Sequence, residues 1–290
     1  MKIPVNCLAI ALTLAGLLSA ALARGQNLFV SEKGIGSIYE FTPSGGSSTF
    51  ASGFGIPEGL AFNSAGDLFE ADFYDDSINE FTPGGTRTTF ASGLDNPVGL
   101  AFNSAGNLFV SDNSGNIYEF TPSGTRSTFA SGLSGLNYPR GLAFNSAGNL
   151  FDADVGTGSI YEFTPSGTRS TFASGLDPFG LAFNSAGDLF EADIGSGNIY
   201  EFTPNGGSST FVSGLNESQG LAFNSAGDLF EADYLSGNIY EFTPNGGSST
   251  FASSGFSYPS FLAFQPIPEP STWALVCFGV IALLGVHRRN

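Results

Sequence analysis

Gly59-Leu-Ala-Phe-Asn-Ser-Ala-Gly66 returns verbatim at Gly99, Gly141, Gly180 and Gly220, and a degenerate copy, Ser260-Phe-Leu-Ala-Phe264, follows. The spacings are 40, 42, 39 and 40 residues, then 40 more to the last copy. A period near 40 marks a repeat architecture, so the fold is read from the repeat unit. The unit from Gly59 to Val98 holds four short apolar runs. Run a is Gly59 to Phe62, run b Asp67 to Asp72, run c Ser77 to Phe81 and run d Thr88 to Ser92. All four are rich in aromatic and β-branched residues, are punctuated by Gly, Pro and Asn, and are too short for helices. Four strands in about 40 residues is the spacing of a propeller blade.

The count closes on itself. Asn27 opens with a strand b, and six b-c-d sets begin near Leu28, Leu68, Leu108, Leu150, Leu189 and Leu229. The sixth strand a, Phe261 to Phe264, comes last. The last strand therefore completes the blade that the first residues begin, which leaves no open edge around the ring. A β-solenoid of the same period has no reason to start and stop out of phase in this complementary way. The expected fold is all-β, a six-bladed β-propeller of four-stranded antiparallel blades.

Three recurring motifs carry a family likeness: Pro97-Val-Gly-Leu-Ala-Phe102, Gly106-Asn-Leu-Phe-Val-Ser-Asp112 and Gly115-Asn-Ile-Tyr-Glu-Phe120. With them the middle of the chain resembles the six-bladed NHL and SMP-30/gluconolactonase-like propellers. The Gly-His and Trp-Asp signatures of WD40 blades are absent. This fold hosts lyases, lactonases and plain binding modules, so the likeness speaks to fold more than to activity.

The ends read as sorting signals. Residues 1–25 have a basic start at Lys2, an apolar Cys7 to Leu18 and an Ala21-Leu-Ala23 cleavage site, the pattern of a secretory signal peptide and a substrate for signal peptidase. Residues 26–266 form the propeller. In residues 267–290, Pro268-Glu269-Pro270 precedes the apolar stretch Ser271 to Val286 and the basic pair Arg288-Arg289. Sixteen residues is slightly short for a spanning helix, and the basic end should remain cytoplasmic. The order resembles a PEP-CTERM sorting signal, which implies recognition by an exosortase and removal of the tail near Pro-Glu-Pro. Before that removal the C-terminal apolar helix is expected to anchor the chain in the membrane, and a permanent membrane anchor is the alternative. Either way the propeller is expected outside the cytoplasmic membrane, in the cell envelope or extracellular.

Composition excludes several chemistries. Both cysteines, Cys7 and Cys277, fall in the terminal signals, so the propeller has neither a disulfide nor a thiol nucleophile. The single histidine is His287, which removes His-based acid catalysis, a Ser-His-Asp triad and His-ligated zinc from the propeller. Its bases are Lys33, Arg87, Arg126, Arg140 and Arg169, against 25 of the 26 acids, a net charge of −20. Such a surface does not bind nucleic acid or a polyanion, and it attracts divalent cations.

Strand b ends in an acid in every repeat: Glu32, Asp72, Asp112, Asp154, Asp193 and Asp233. Two residues earlier a second acid stands in four of the six, Glu70, Asp152, Glu191 and Glu231, with Val30 and Val110 in the others. Residues i and i+2 of a strand share a face, so the inner acid should be partly buried. Two readings of the terminal acid stay open. It caps the b–c hairpin through backbone N–H groups, or Asp72, Asp112, Asp154, Asp193 and Asp233 help hold a hard cation such as Ca²⁺. The SMP-30 resemblance implies a metal near the axis, although its ligands do not map here residue by residue. Otherwise no cofactor is expected. The acids of strand c (Glu40, Glu80, Glu119, Glu162, Glu201, Glu241) read as solvent-side or inter-blade hydrogen-bonding residues.

Divergence is concentrated on one side. The a–b and c–d turns barely vary, whereas the b–c and d–a loops differ in every repeat. At one position, between the d–a loop and strand a, six different residues sit amid near-identical neighbours: Glu58, Val98, Arg140, Phe179, Gln219 and Ser260. Strand a is innermost in this fold, so these six are expected to ring the channel mouth. With Tyr138, Tyr258, Phe73, Tyr74 and Tyr234 nearby, that face suits a carbohydrate or a matrix protein. The leading expectation is an exported binding or structural module of the envelope or matrix. The alternative is a metal-dependent lactonase or hydrolase of the SMP-30 type, using Glu58, Asp154 and Asp193 with Arg140 polarising the substrate.

Overall fold

The structure is a computed structural model, and it describes residues 25–131, 135–253 and 256–267. Those residues form 24 strands in six four-stranded antiparallel sheets, with no helix among them. Blade one combines strand a from Pro259–Phe264 with b Leu28–Glu32, c Ser37–Phe41 and d Ser47–Ser52. The chain thus closes its own ring, Leu28 pairing with Phe264 and Glu32 with Pro259. Blade two is Pro57–Phe62, Leu68–Asp72, Ser77–Phe81 and Arg87–Ser92, and blades three to six repeat the order. Strands a of neighbouring blades touch around the axis. Strands d lie outside with their first three residues exposed.

Phenylalanine joins the blades. Phe29 of strand b meets Phe50 of its own strand d at 5.0 Å and Phe62 of the next strand a at 5.1 Å, both edge-to-face. The same pair of contacts recurs from Phe69, Phe109, Phe151, Phe190 and Phe230. The strand d rings then reach the strand c ring of the next blade, as in Phe50–Phe81 and Phe251–Phe41. This pinwheel accounts for 24 of the 30 phenylalanines, each pair adding about 0.5–1.5 kcal/mol beyond its buried area.

Glycine sets the bore. A Cβ on Gly59, Gly99, Gly141, Gly180 or Gly220 would stand 1.9–2.2 Å from the carbonyl oxygen of Val98, Arg140, Phe179, Gln219 or Ser260 in the next blade. Strands a pack backbone to backbone around the axis, so only glycine fits. The sixth equivalent is Phe261, whose ring lies 5.6 Å from Phe179 two blades away. The glycine ring draws the channel tight, and this aromatic pair packs inside it.

Candidate functional site at the channel mouth

The six terminal acids of strand b have one geometry. Asp72 accepts backbone N–H bonds from Gly55 and Ile56 (3.1 and 3.2 Å) in the d–a loop, and from Asp75 (3.4 Å) in its own b–c hairpin. Asp154 accepts from Asn137 and Thr157, and Asp193 from Asp177 and Ser196. Asp233 accepts from Asn216 and Ser236, and Asp112 from Asp95 and Ser114. Glu32 makes the longer-reaching version with Gly34, Ile35, Ser257 and Tyr258. Each carboxylate thus ties the linker between blades to a hairpin, the arrangement of the capping reading, extended to a second loop. Among the described residues no three or more Asp, Glu, His or Cys side chains come together to hold a metal ion. The donor set does not fit Ca²⁺, because its oxygens are already directed at separate pairs of N–H groups.

The caps place a second ring over the mouth. The residue after each acid is Lys33, Phe73, Asn113, Val155, Ile194 or Tyr234. Its N–H donates to a d–a loop carbonyl, those of Tyr258, Ile56, Asp95, Tyr138, Asp177 and Glu217 respectively, at 2.8–3.3 Å. Six different side chains, all half-buried, are therefore presented from a fixed backbone.

Beneath them lies the ring that the sequence singled out. Val98 and Ser260 are fully buried, Glu58, Phe179 and Gln219 are buried, and Arg140 alone is half-buried. The Ser260 hydroxyl lies 2.8 Å from Gln219 Oε1 and 3.2 Å from Glu58 Oε2, so the neighbouring blades six, one and two are linked beside the axis. Lys33 Nζ caps this group, 2.8 Å from Glu58 Oε1. The same ammonium stands 5.5 Å from the centre of the Phe179 ring and 5.3 Å from that of Tyr234. Arg140 makes no ion pair among the described residues. Burial lowers its pKa, while Glu58 and Tyr138 act in the opposite direction. Lys33 was visible in the sequence only as one of five bases. Its place depends on contacts with blades two, five and six, which no local pattern reveals.

Outside the mouth the same face carries the unusual features of the surface. The exposed large apolar side chains between strands are Ile35, Tyr74, Tyr138, Leu235 and Tyr258, all in b–c or d–a loops. Tyr234 and Tyr258 stack at 4.9 Å. The non-glycine residues with positive φ, Asp76, Asn96, Tyr138 and Glu217, lie in these loops too. Left-handed backbone is costly for a bulky side chain, and such strain gathers at functional sites.

The inner acids of strand b form no site at the mouth. Glu70, Asp152, Glu191 and Glu231 are fully buried in the blades. Asp152, Glu191 and Glu231 have no hydrogen-bond partner on either oxygen, and Glu70 has one, Asn79 at 2.8 Å. Burial raises all four pKa values, that of Glu191 to about 9. On strand c, Glu40, Glu119 and Glu162 accept from Asn27, Asn107 and Asn149 of their own blades at 2.6–2.7 Å, so their bonds are within a blade and not between blades.

Residues 266–289 match the PEP-CTERM protein-sorting motif, which marks the chain for export through an exosortase system. The motif residues Pro268, Glu269, Pro270, Arg288 and Arg289, the apolar stretch after them and the leader at residues 1–24 lie outside the described residues. Among the described residues no helix is long and apolar enough to cross a membrane. No curated protein matches the chain in sequence. Many solved structures match its fold. A gluconolactonase from Xanthomonas campestris is 18% identical with a TM-score of 0.63, over 71% of this chain and 78% of that one. Regucalcin from Agrobacterium tumefaciens, a calcium-binding protein, is 18% identical with a TM-score of 0.58, over 67% and 72%. Virginiamycin B lyase from Staphylococcus aureus is 16% identical with a TM-score of 0.61, over 81% and 85%. At these identities the likeness establishes the architecture: a six-bladed propeller with gluconolactonase- and SMP-30-like structural neighbours, carrying a PEP-CTERM sorting motif.

Proposed function

We propose that the chain is an exported binding or structural module of the cell envelope or extracellular matrix, which contacts its ligand through the variable loop face and the channel mouth. The observation that carries this reading is the segregation of exposed aromatics. Tyr74, Tyr138 and Tyr258 are 64%, 46% and 42% exposed, and all stand on the face where the repeats diverge. Tyrosine faces beside loop amides suit sugar rings or an extended peptide. Exosortase removes the tail and frees the propeller, after an earlier cleavage by signal peptidase.

The test is sedimentation of the chain with purified envelope polysaccharide. The unchanged chain is expected to co-sediment, and the variant with Tyr74→Ala, Tyr138→Ala and Tyr258→Ala to stay in solution at an unchanged melting temperature. Equal behaviour of the two proteins would overturn the reading.

A metal-dependent hydrolase is the second reading, favoured by the gluconolactonase and regucalcin neighbours. It requires Asp154 and Asp193 to abandon their N–H partners and Glu58 to abandon Lys33. Lactone hydrolysis that Ca²⁺ restores after chelation would establish it.

A further inference from the structure

Lys33 fills a site built for its own head group. A primary ammonium sits 2.8 Å from a buried carboxylate and near the faces of two aromatic rings, which is the recipe for recognising an organic cation. The four participants come from four blades: Lys33 from one, Glu58 from two, Phe179 from five and Tyr234 from six. We propose that the channel mouth is a receptor for a primary ammonium group, self-occupied by Lys33 in the free protein, and that the incoming group belongs to an amino sugar. The inference rests on the carbohydrate reading above and names the chemical feature recognised.

Three features favour displacement of Lys33. Its backbone is held by the N–H bond to Tyr258 O at 3.1 Å, so the side chain can leave without rearranging the loop. Lysine's stem is long and flexible, and Lys33 is only half-buried at the mouth, so its head group can swing into solvent. The domain carries a net charge of −20, so a cationic sugar is drawn toward this face and the released Lys33 finds acids such as Asp75 and Glu217 on it. Stacked Tyr234 and Tyr258 then offer a platform for the sugar ring beside the ammonium pocket. Arg140 is the opposing group. It feels Glu58 without pairing to it, and it competes with any cation that enters.

The experiment has two arms on the full chain. In the first, Lys33→Ala removes a fragment equivalent to propylamine. n-Propylammonium chloride should then raise the melting temperature saturably above a matched NaCl control, with no such rise from 1-propanol or in Lys33→Ala with Glu58→Gln. In the second, calorimetry compares the glucosamine tetramer with the N-acetylglucosamine tetramer on the unchanged protein, so it does not depend on Lys33→Ala folding. The charged tetramer should bind more tightly by about thirtyfold, the low end for removing one partner of a desolvated charge pair. Arg140→Gln should tighten that binding, and Glu58→Gln should abolish the preference. No saturable response to propylammonium, or equal binding of the two tetramers, would overturn the proposal. Retained binding of neutral envelope polysaccharide alongside either failure would remove this inference alone, whereas loss of all binding would remove the functional reading with it.

Discussion

Replacing Glu191 by valine should stabilise the protein, and by an amount that depends on pH. The chain contains its own control, because the equivalent strand b position is Val30 in blade one and Val110 in blade three, both fully buried in the apolar seams. Glu191 occupies the same place with neither oxygen hydrogen-bonded. Burial, then the nearby charges of Asp193 and Asp177, raises its pKa from 4.5 to about 9. In the unfolded chain the group loses its proton near 4.5, whereas in the folded protein it holds the proton to about 9. The folded state therefore binds the extra proton throughout that window, and stability falls as pH rises through it. The slope is about 1.4 kcal/mol per pH unit for one group, so at pH 7 the cost is about 3 kcal/mol. Urea unfolding of the unchanged chain and Glu191→Val from pH 4 to pH 9 measures it. The variant should gain little at pH 4, gain steadily up to pH 9 and show a shallower pH dependence. An equal stability change at pH 4 and pH 8, or a net loss at pH 8, would refute the reasoning.

Other expected outcomes follow from the same comparison of blades. Asp67→Asn should stabilise by less than about 1 kcal/mol in urea unfolding, since it weakens the bond that Asp67 accepts from Asn63 at 2.9 Å while recreating beside Glu80 the amide–carboxylate bond that Asn107 makes to Glu119 at 2.7 Å. Glu80, its pKa raised by burial and then by Asp67, should titrate lower in that variant by NMR. Gly141→Ala drives a methyl to 2.2 Å from the Phe179 carbonyl oxygen and should cost about 3 kcal/mol or prevent ring closure, read by thermal unfolding. Tyr138→Gly relieves a side chain held at φ 59° and should raise stability by about 1 kcal/mol while weakening ligand binding. A chelator should leave the melting temperature unchanged, because the strand b carboxylates are occupied by backbone N–H groups.

The fold was legible because each blade repeats its punctuation. Asn63 with Gly66, and Thr82 with Gly85, fix the turns through local bonds that any copy of the sequence makes again. The closing strand could be anticipated from the phase of the repeats, since Leu28 opens with a strand b. The mouth was only half legible. Six divergent residues could be placed on the innermost strands from the repeat alone, but their depth depends on the bore, which the glycine contacts between blades set. That is why five of the six are buried and why the half-buried ring above them, including Lys33, forms the outer layer. The alternation of two acids in strand b was plain, yet their opposite fates were not. Asp193 meets two N–H groups at the loop end, while Glu191, one step down the same face, finds no hydrogen-bond partner.

The most direct test of the account exchanges faces. Co-sedimentation with purified envelope polysaccharide would compare Tyr74→Ala, Tyr138→Ala and Tyr258→Ala, combined on the variable face, with Ser123→Ala, Ser166→Ala and Asn205→Ala on the opposite turns. The account predicts loss of binding in the first protein and full binding in the second, with both folded. Binding lost through the opposite turns and kept without the three tyrosines would contradict it.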